Sequence, residues 1–182
     1  SYGVDTTYVQ TTIGSKTGHA YITLNEAGQN DISIDHGANY ELTVEDIQAA
    51  SDLFKDVDCV IAQFETPLEA TIEAFKLAKK AGKITILNPA PAIDKIPEEL
   101  LQYTDIITPN ETESAKITGI QIKDNSTLAT NAEKLHLLGV KNVVITYGDK
   151  GAYISSADIE TLVPAYKVKA TDTTGAGDTF FV

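Results

Sequence analysis

Two short stretches near the amino terminus alternate apolar and polar residues, and this pattern predicts two β-strands. The stretches cover residues 19–24 and 31–35, and a period of two is typical of strands with one buried face. Residues 25–30 between them include Gly28 and predict the turn of a hairpin. Because an isolated hairpin is only marginally stable, its apolar face is expected to cover a core, a ligand or a partner subunit. That face would carry Ala20, Ile22, Leu24, Ile32 and Ile34.

From Thr43 onward the pattern changes to strands that alternate with helices. Helices are predicted to begin at Thr43 and Thr66, each capped by the Thr and followed three residues later by an acidic residue. A third helix is predicted from about Ser126 to Gly139. This alternation is typical of an α/β fold with a doubly wound, mostly parallel sheet. Its buried strands are predicted at residues 59–64, 84–87, 105–108 and 143–146.

The last part of the chain has an antiparallel character. After Gly151, short strands are predicted at residues 152–155, 161–163 and 166–169. The chain contains no Met and ends within an apolar run at Val182. We therefore expect a segment of a longer protein, truncated at both ends, and divide it into a β segment at residues 1–40 and an incomplete α/β core at 41–182.

Composition excludes several classes of partner. The chain has 14 basic residues, all of them Lys, against 26 acidic residues, and a formal net charge of −12. Nucleic-acid binding needs a basic face, so DNA and RNA are not expected as partners. No stretch approaches the about 18 to 20 apolar residues of a membrane span. The single cysteine, Cys59, lies in an apolar run, which predicts a buried reduced thiol and a cytoplasmic protein.

Candidate chemistry lies where the predicted strands end, because ligands of open α/β sheets bind beyond the carboxyl ends of the strands. Five predicted strands are followed by polar or glycine-rich turns. These turns carry Glu65, Asn88, the pair Asn110 and Glu113, Thr146 to Gly148, and the run Asp172 to Asp178. Five such turns at one edge indicate a binding site more strongly than any one of them.

Two of these turns allow two interpretations from spacing alone. Residues 175–177 (Gly-Ala-Gly) stand just before an apolar helix, where backbone N–H groups can bind an anion. Asp178 would stand beside that anion, or it would only complement the helix dipole. Asn110 and Glu113 have the spacing of a capping box, so they serve either the helix start or the chemistry.

The run Asp172-Thr-Thr-Gly-Ala-Gly-Asp178 resembles the C-terminal signature of the ribokinase-type (PfkB) carbohydrate kinases. The match covers essentially the whole chain, because four upstream motifs occur in the family's order with similar spacing. They are His36–Asn39, Gln63–Glu65, Asn88–Ala92 and Pro109–Glu113. The resemblance implies a ribokinase-like fold in which residues 1–40 hold a small β-hairpin lid over the sugar. It also implies a homodimer formed by pairing of two lids.

The same resemblance implies an ATP-dependent sugar kinase that transfers the γ-phosphate to a primary hydroxyl, with ribose as the expected substrate. Asp178 would then be the base that accepts the hydroxyl proton. The amides of Gly175, Ala176 and Gly177 would form an anion hole for the phosphoryl group. Asn110 and Glu113 would arrange Mg²⁺ and its waters around the ATP phosphates.

The remaining family roles fall on five further residues. Thr146 and Gly148 would contact the nucleotide, and Glu65 would contact the sugar. Asp172 and the carbonyl of Thr174 would be ligands of a monovalent cation such as K⁺. The alternatives are a sibling kinase for another sugar or a nucleoside, and a non-catalytic fragment that binds nucleotide or only dimerises. The family's amino-terminal sugar-binding turn and its later adenine-contacting loops have no counterpart in these residues, so the segment alone is expected to be inactive.

Overall fold

The computed structural model describes residues 3–24, 30–168 and 175–181, which form two sheets and seven α-helices. The strands are β1 (His19–Leu24), β2 (Asn30–Asp35), β3 (Cys59–Ala62), β4 (Ile84–Leu87), β5 (Ile106–Ile107), β6 (Asn142–Thr146), β7 (Ala152–Ser155) and β8 (Glu160–Val163). The helices are α1 (Val44–Ala49), α2 (Leu53–Asp56), α3 (Leu68–Lys80), α4 (Glu98–Gln102), α5 (Glu111–Thr118), α6 (Asn125–Leu137) and α7 (Ala176–Phe181).

Strands β1 and β2 form the predicted hairpin as an antiparallel sheet of their own. Their register places Ala20 opposite Ile34 and Ile22 opposite Ile32, which puts these positions on one face. Ile22 and Ile34 are 44% and 41% exposed, so these two positions of the predicted apolar face are open to solvent. Of the hairpin turn predicted at residues 25–30, residues 25–29 lie outside the described residues, and Asn30 is already the first residue of β2. The division of the chain at residue 40 stays a prediction.

The base of the hairpin is a close crossing of two chain segments. The Ala38 N–H donates to the Lys16 carbonyl at 2.8 Å. Gly37, which opens a 3-10 helix at Gly37–Glu41, has φ +47°. A Cβ at this position would come within 2.3 Å of the Lys16 carbonyl oxygen. Both the backbone conformation and the missing space therefore require glycine here.

The six-stranded sheet has the order β3-β4-β5-β6-β7-β8. The first three pairings are parallel, and the last two are antiparallel. The α/β class and the antiparallel pattern after Gly151 are therefore confirmed. The strand predicted at residues 166–169 is wrong for residues 166–168, which form no strand. Tyr166 and Val168 are 93% and 80% exposed, so no described residue covers them; Lys169 lies outside the described residues.

The hydrophobic core lies between this sheet and the helices that connect its parallel strands. Phe75 of α3 and Leu135 of α6 are completely buried together with Leu87, Ile107 and Val143 of the sheet. Parallel crossovers are right-handed, so a strand order that runs in one direction places its connecting helices on one face. No helix in the described part of the chain is long and apolar enough to span a membrane.

The opposite face of the sheet is partly uncovered in the described residues. Side chains alternate between the two faces of a strand, and on this face Ile61 and Ile84 are 46% and 50% exposed. Cys59 is also exposed, so its predicted burial is wrong. The reason is its place on β3, the edge strand of the described sheet, two positions from Ile61.

The predicted helix starts have different outcomes. Thr43 caps α1 in a complete capping box with Asp46, as predicted. Thr66 does not cap α3: the cap position belongs to Pro67, and no side chain accepts a hydrogen bond from the first turn. The Thr66 hydroxyl instead contacts the hydroxyl of Thr71 at 3.2 Å.

Asp105 ties α3 to the amino end of the parallel strands. The Lys79 ammonium donates to both carboxylate oxygens of Asp105 at 2.6 Å, and the Thr85 N–H donates to one of them at 2.9 Å. Partial burial acts to raise the pKa of Asp105, but the hydrogen bonds from Lys79 and Thr85 outweigh it and lower this pKa. The ionised carboxylate therefore stabilises the fold.

Candidate active site

A cavity of about 300 Å³ lies at the carboxyl ends of the parallel strands. The cavity is lined by residues that end or directly follow each strand from β3 to β6, and the start of α7 lines it as well. The polar residues from the strand ends are Gln63, Glu65, Asn88, Thr108, Asn110, Glu113 and Thr146. The sheet thus brings together segments that are far apart in the chain.

The predicted glycine-rich turn is part of this cavity. Gly175, Ala176, Gly177 and Asp178 all line it, and Asp178 lies in the first turn of α7. Gly175 has φ +71°, a conformation that favours glycine, and its carbonyl accepts from the Thr179 N–H at 2.9 Å. The structure therefore places a carboxylate next to a small-residue helix start, as the pattern predicted.

Asn110 and Glu113 form a complete capping box at the start of α5 and also line the cavity. The Asn110 Oδ1 accepts from the Glu113 N–H at 2.8 Å, and the Glu113 Oε2 accepts from the Asn110 N–H at 2.8 Å. The Asn110 side-chain amide also donates to the Glu113 Oε1 at 2.9 Å. The capping interpretation is thus confirmed, and it does not exclude a second use of the same carboxylate.

Burial raises the pKa of the Glu113 carboxyl, and the nearby negative charge of Glu111 adds to this rise, while the hydrogen bonds from Asn110 oppose it. A bound cation would relieve both unfavourable effects. Each Glu113 oxygen accepts one hydrogen bond and keeps a further lone pair, since a carboxylate can accept about four. This carboxylate therefore suits a cation at the cavity.

The Thr146 N–H donates to the Pro109 carbonyl at 3.0 Å, and Thr146 forms a parallel β-bridge with Asn110. Thr146 therefore lies beside Asn110. Gly148 does not line the cavity. It has φ +49°, and a Cβ on it would lie 3.4 Å from the Glu111 Oε1. The turn that follows β6 therefore packs against α5, with Thr146 facing the cavity.

Gln63 is a cavity residue for which the sequence predicted no role. Its side-chain Nε2 lies 3.4 Å from the Asp178 Oδ1, although 115 positions separate the two residues. It follows β3 directly, as Glu65 does two positions later, so its place after a strand was the signal that could have identified it. Thr108, Ala90 and Pro91 also line the cavity without a predicted role.

The charged side chains that line the cavity in the described residues are Glu65, Glu113 and Asp178, all of them acidic. A phosphate group here would need amide donors and a metal ion to offset its charge. No group of three or more His, Cys, Asp or Glu in the described residues could enclose a metal. Mg²⁺ fits this donor set, because it retains several waters and takes one or two carboxylates together with substrate phosphates. Asp172 and Thr174 lie outside the described residues.

A larger groove of about 460 Å³ lies at the other end of the sheet, beside the start of β6. Its histidine, His136, already uses both ring nitrogens, at 2.8 Å from the Val140 carbonyl and 2.9 Å from the Ser155 hydroxyl. This groove lacks a glycine-rich turn and does not include the strand ends described above. The smaller cavity is therefore the candidate site.

A model of the pfkB family carbohydrate kinases matches residues 1–182. The chain belongs to this family. Among curated pfkB relatives, the chain is 45% identical over 177 residues to ribokinase from Staphylococcus aureus, covering 97% of this chain and 58% of that protein. It is 48% identical over 178 residues to a bifunctional ribokinase/ribose-5-phosphate isomerase A from Fructilactobacillus sanfranciscensis, covering 98% of this chain and 33% of that protein.

A solved structure of Arabidopsis thaliana ribokinase complexed with ribose and ATP is similar in fold, with a TM-score of 0.82 and 34% identity. The match covers 92% of this chain and 55% of that protein. The predicted ribokinase-like fold of the pfkB family, with its separate two-stranded sheet, is thereby confirmed. The chain spans little more than half the length of the two ribokinases from Staphylococcus aureus and Arabidopsis thaliana, and a third of the bifunctional protein.

Proposed function

We propose that the whole protein to which these residues belong is an ATP-dependent phosphotransferase that phosphorylates a primary hydroxyl of a sugar, with ribose as the substrate. The observation that carries this proposal is the cavity that joins Asp178 and the turn of residues 175–177 to Asn110 and Glu113. The likeness to a ribokinase that binds ribose and ATP supports it.

In the proposed reaction, the sugar hydroxyl oxygen bonds to the γ-phosphorus as the bond from that phosphorus to the ADP oxygen breaks. The hydroxyl proton passes to the Asp178 carboxylate, which is a general base of the type that phosphoryl transfer uses. The backbone amides of Gly175, Ala176 and Gly177 stabilise the charge on the transferred phosphoryl oxygens. Positioning and charge stabilisation thus supply most of the catalysis.

Asn110 and Glu113 would hold Mg²⁺ through its water ligands, with Glu113 supplying the negative charge. When bound, the ion offsets the charge of the ATP phosphates. Thr146 and Gly148 are proposed to contact the nucleotide, and Glu65 is proposed to contact the sugar. A monovalent cation such as K⁺ at Asp172 and the Thr174 carbonyl is proposed from the family resemblance.

Two further proposals concern the setting of the enzyme. The open apolar face of the hairpin, with Ile22 and Ile34, supports a homodimer in which two hairpins pair over their substrates. The single free cysteine among 182 residues supports a cytoplasmic enzyme that needs no disulfide.

A sibling kinase is the second candidate. The chain is also 37% identical over 180 residues to deoxyribokinase from Salmonella typhi, covering 59% of that protein. Ribose and deoxyribose differ by one hydroxyl group, so closely related active sites can be specific for one sugar or the other. A protein that only binds nucleotide or only dimerises is the third candidate.

The deciding experiment assays the whole protein with ATP and Mg²⁺ against ribose, deoxyribose and adenosine. We expect ribose to give the highest kcat/KM. A higher value with deoxyribose or adenosine would favour the sibling kinase. Calorimetric titration with ATP, with and without Mg²⁺, tests the third candidate, a protein that only binds nucleotide or only dimerises. Binding of ATP without phosphorylation of any acceptor would contradict the proposed activity.

A further inference from the structure

The side chain of Gln63 reaches across the cavity to Asp178, with 3.4 Å between Nε2 and Oδ1. A carboxylate can only accept hydrogen bonds, so the amide group of Gln63 must present its N–H here. The separation is at the long end of hydrogen-bond distances, and catalytic hydrogen bonds commonly tighten only when substrate binds. The contact joins the carboxyl end of β3 to α7.

Gln63 is held on a rigid base. The strand residue before it, Ala62, accepts from the Asn88 N–H at 2.9 Å, and Phe64 after it donates to the Ala90 carbonyl at 2.8 Å. The Phe64 ring is buried in the core. Two backbone hydrogen bonds and one buried ring thus fix the direction of the intervening side chain. Asp178, by contrast, is an exposed residue in the first turn of a six-residue helix.

The contact with Gln63 places the two carboxylate oxygens of Asp178 in different surroundings. Oδ1 faces the Gln63 amide, whereas Oδ2 lies 3.8 Å from the point where a Cβ on Gly175 would sit. Oδ2 is therefore on the side of the small-residue turn. We propose that Gln63 is a positioning residue that holds Oδ1 and so presents Oδ2 to the sugar hydroxyl. This inference rests on the proposed function, in which Asp178 is the base.

Positioning of this kind acts on the rate of the chemical step. A base must lie within hydrogen-bond reach of the proton that it removes, and misplacement by about 1 Å can cost on the order of 10²-fold in rate. Without the Gln63 donor, the Asp178 side chain is free to adopt other rotamers. The expected loss is about 10- to 100-fold in kcat, with the KM for ATP unchanged.

A double-mutant cycle in the whole protein tests this inference. The variants are Gln63→Leu, Asp178→Asn and the double variant, and kcat and both KM values are measured with ATP and ribose. Because Gln63 acts through Asp178, we expect Gln63→Leu to lower kcat about 10- to 100-fold in the parent and less than about twofold in the Asp178→Asn background. Independent effects of the two substitutions would overturn the inference, as would a change confined to the KM for ribose.

Two more variants keep the test decisive. Gln63→Glu retains the size of the side chain but has no donor, so it should lose at least as much kcat as Gln63→Leu and replaces that variant if the Leu protein does not fold. Gln48→Leu is the matched control: Gln48 donates to the Glu73 carboxylate at 3.1 Å on the protein surface, away from the cavity. It should leave kcat unchanged.

The outcomes also separate this inference from the proposed function. If the parent phosphorylates no sugar or nucleoside, the proposed function fails. If Asp178→Asn keeps the parental rate, the sugar kinase activity stands, but the role of Asp178 as base fails, and the role of Gln63 fails with it. If Asp178→Asn loses activity while Gln63→Leu and Gln63→Glu stay within about twofold of the parent, only the role of Gln63 fails.

Discussion

The backbone N–H groups of Asn110 and Glu113 at the start of α5 each donate a 2.8 Å hydrogen bond to a side-chain oxygen of the other residue. The same two side chains line the candidate active site. One pair therefore stabilises a helix start and faces the position proposed for Mg²⁺. Substitutions that keep one of these roles and remove the other can distinguish them.

Glu113→Gln keeps the capping box, since Gln also serves at this position, but it removes the negative charge. We expect the melting temperature of the whole protein to change little. The Mg²⁺ concentration for half-maximal activity should rise by about 10- to 100-fold, the usual effect of losing a residue that supports a metal ion. Titration of activity with Mg²⁺ and thermal unfolding measure the two quantities.

The matched control for Glu113→Gln is Asp46→Asn in the capping box of α1, which is not part of the cavity. This variant should leave the Mg²⁺ requirement unchanged. A much lower melting temperature of Glu113→Gln, together with an unchanged Mg²⁺ requirement, would show that Glu113 serves only to cap α5.

Asp178→Asn in the whole protein keeps the shape of the side chain and removes the base. Its kcat should fall by roughly 10² to 10⁴, the usual share of general base catalysis, with little change in the KM for ATP. Glu69→Gln is a suitable control, because Glu69 is also acidic in a first helical turn, that of α3, and lies outside the cavity. A kcat within about threefold of the parent would remove Asp178 from the proposed mechanism.

The ion pair of Lys79 and Asp105 predicts a pH dependence of stability. The pKa of Asp105 is lower in the folded protein than its ordinary value of 3.8. Its contribution to stability is therefore complete above that value and is lost as the pH falls through the lower folded pKa. We expect Asp105→Asn to unfold more easily than the parent at pH 7, by about 1 kcal/mol, with the difference closing in strong acid.

Urea unfolding of the parent and the Asp105 variant at a series of pH values measures this difference. Asp94→Asn is the control, since Asp94 pairs with Lys116 at 3.1 Å but is 97% exposed; its effect should be close to zero at every pH. A constant difference between the Asp105 variant and the parent down to the acid limit would contradict the assignment.

The open face of the hairpin predicts association through Ile22. Ile22→Lys places a charge on this face and should weaken the proposed homodimer and raise the KM for the sugar together. Sedimentation velocity and steady-state kinetics measure both effects. Ile13→Lys, at an almost fully exposed site outside the hairpin, should change neither. A monomeric parent would rule out the dimer.

The 182-residue segment by itself is expected to aggregate or to lack kinase activity. The half-exposed Ile61 and Ile84 lie on the uncovered face of the sheet, and contiguous apolar surface of this kind promotes association. Light scattering and a kinase assay on the purified segment test this expectation, with the whole protein as the reference. Phosphorylation of ribose by the segment at about 1 s⁻¹, the low end for kinases, would contradict it.

Local patterns predicted the elements that depend on local physics. The alternation at residues 19–24 matches β1, and the Thr43 and Asn110 caps are where their spacing placed them. One local prediction is wrong, because Pro67 and not Thr66 holds the cap position of α3. The other errors concern what lies next to an element in space. Cys59 lies in an apolar run of the sequence, which is typical of a buried residue. Its exposure, however, depends on which other parts of the protein cover the edge strand β3. The contact of Gln63 with Asp178 depends on the whole topology, because no pattern within a short window links these positions.

The strand order β3-β4-β5-β6-β7-β8 also bears on how the chain reaches its fold. Each strand of this sheet pairs with strands adjacent to it in the chain, so each new pairing closes only the loop or helix just completed. During synthesis the sheet can therefore extend from β3 to β8 in the order in which the ribosome releases the strands. Asp178 follows the last of these strands in the chain, so the proposed base joins the cavity residues that end or follow β3, β5 and β6 only after the six described strands are in place.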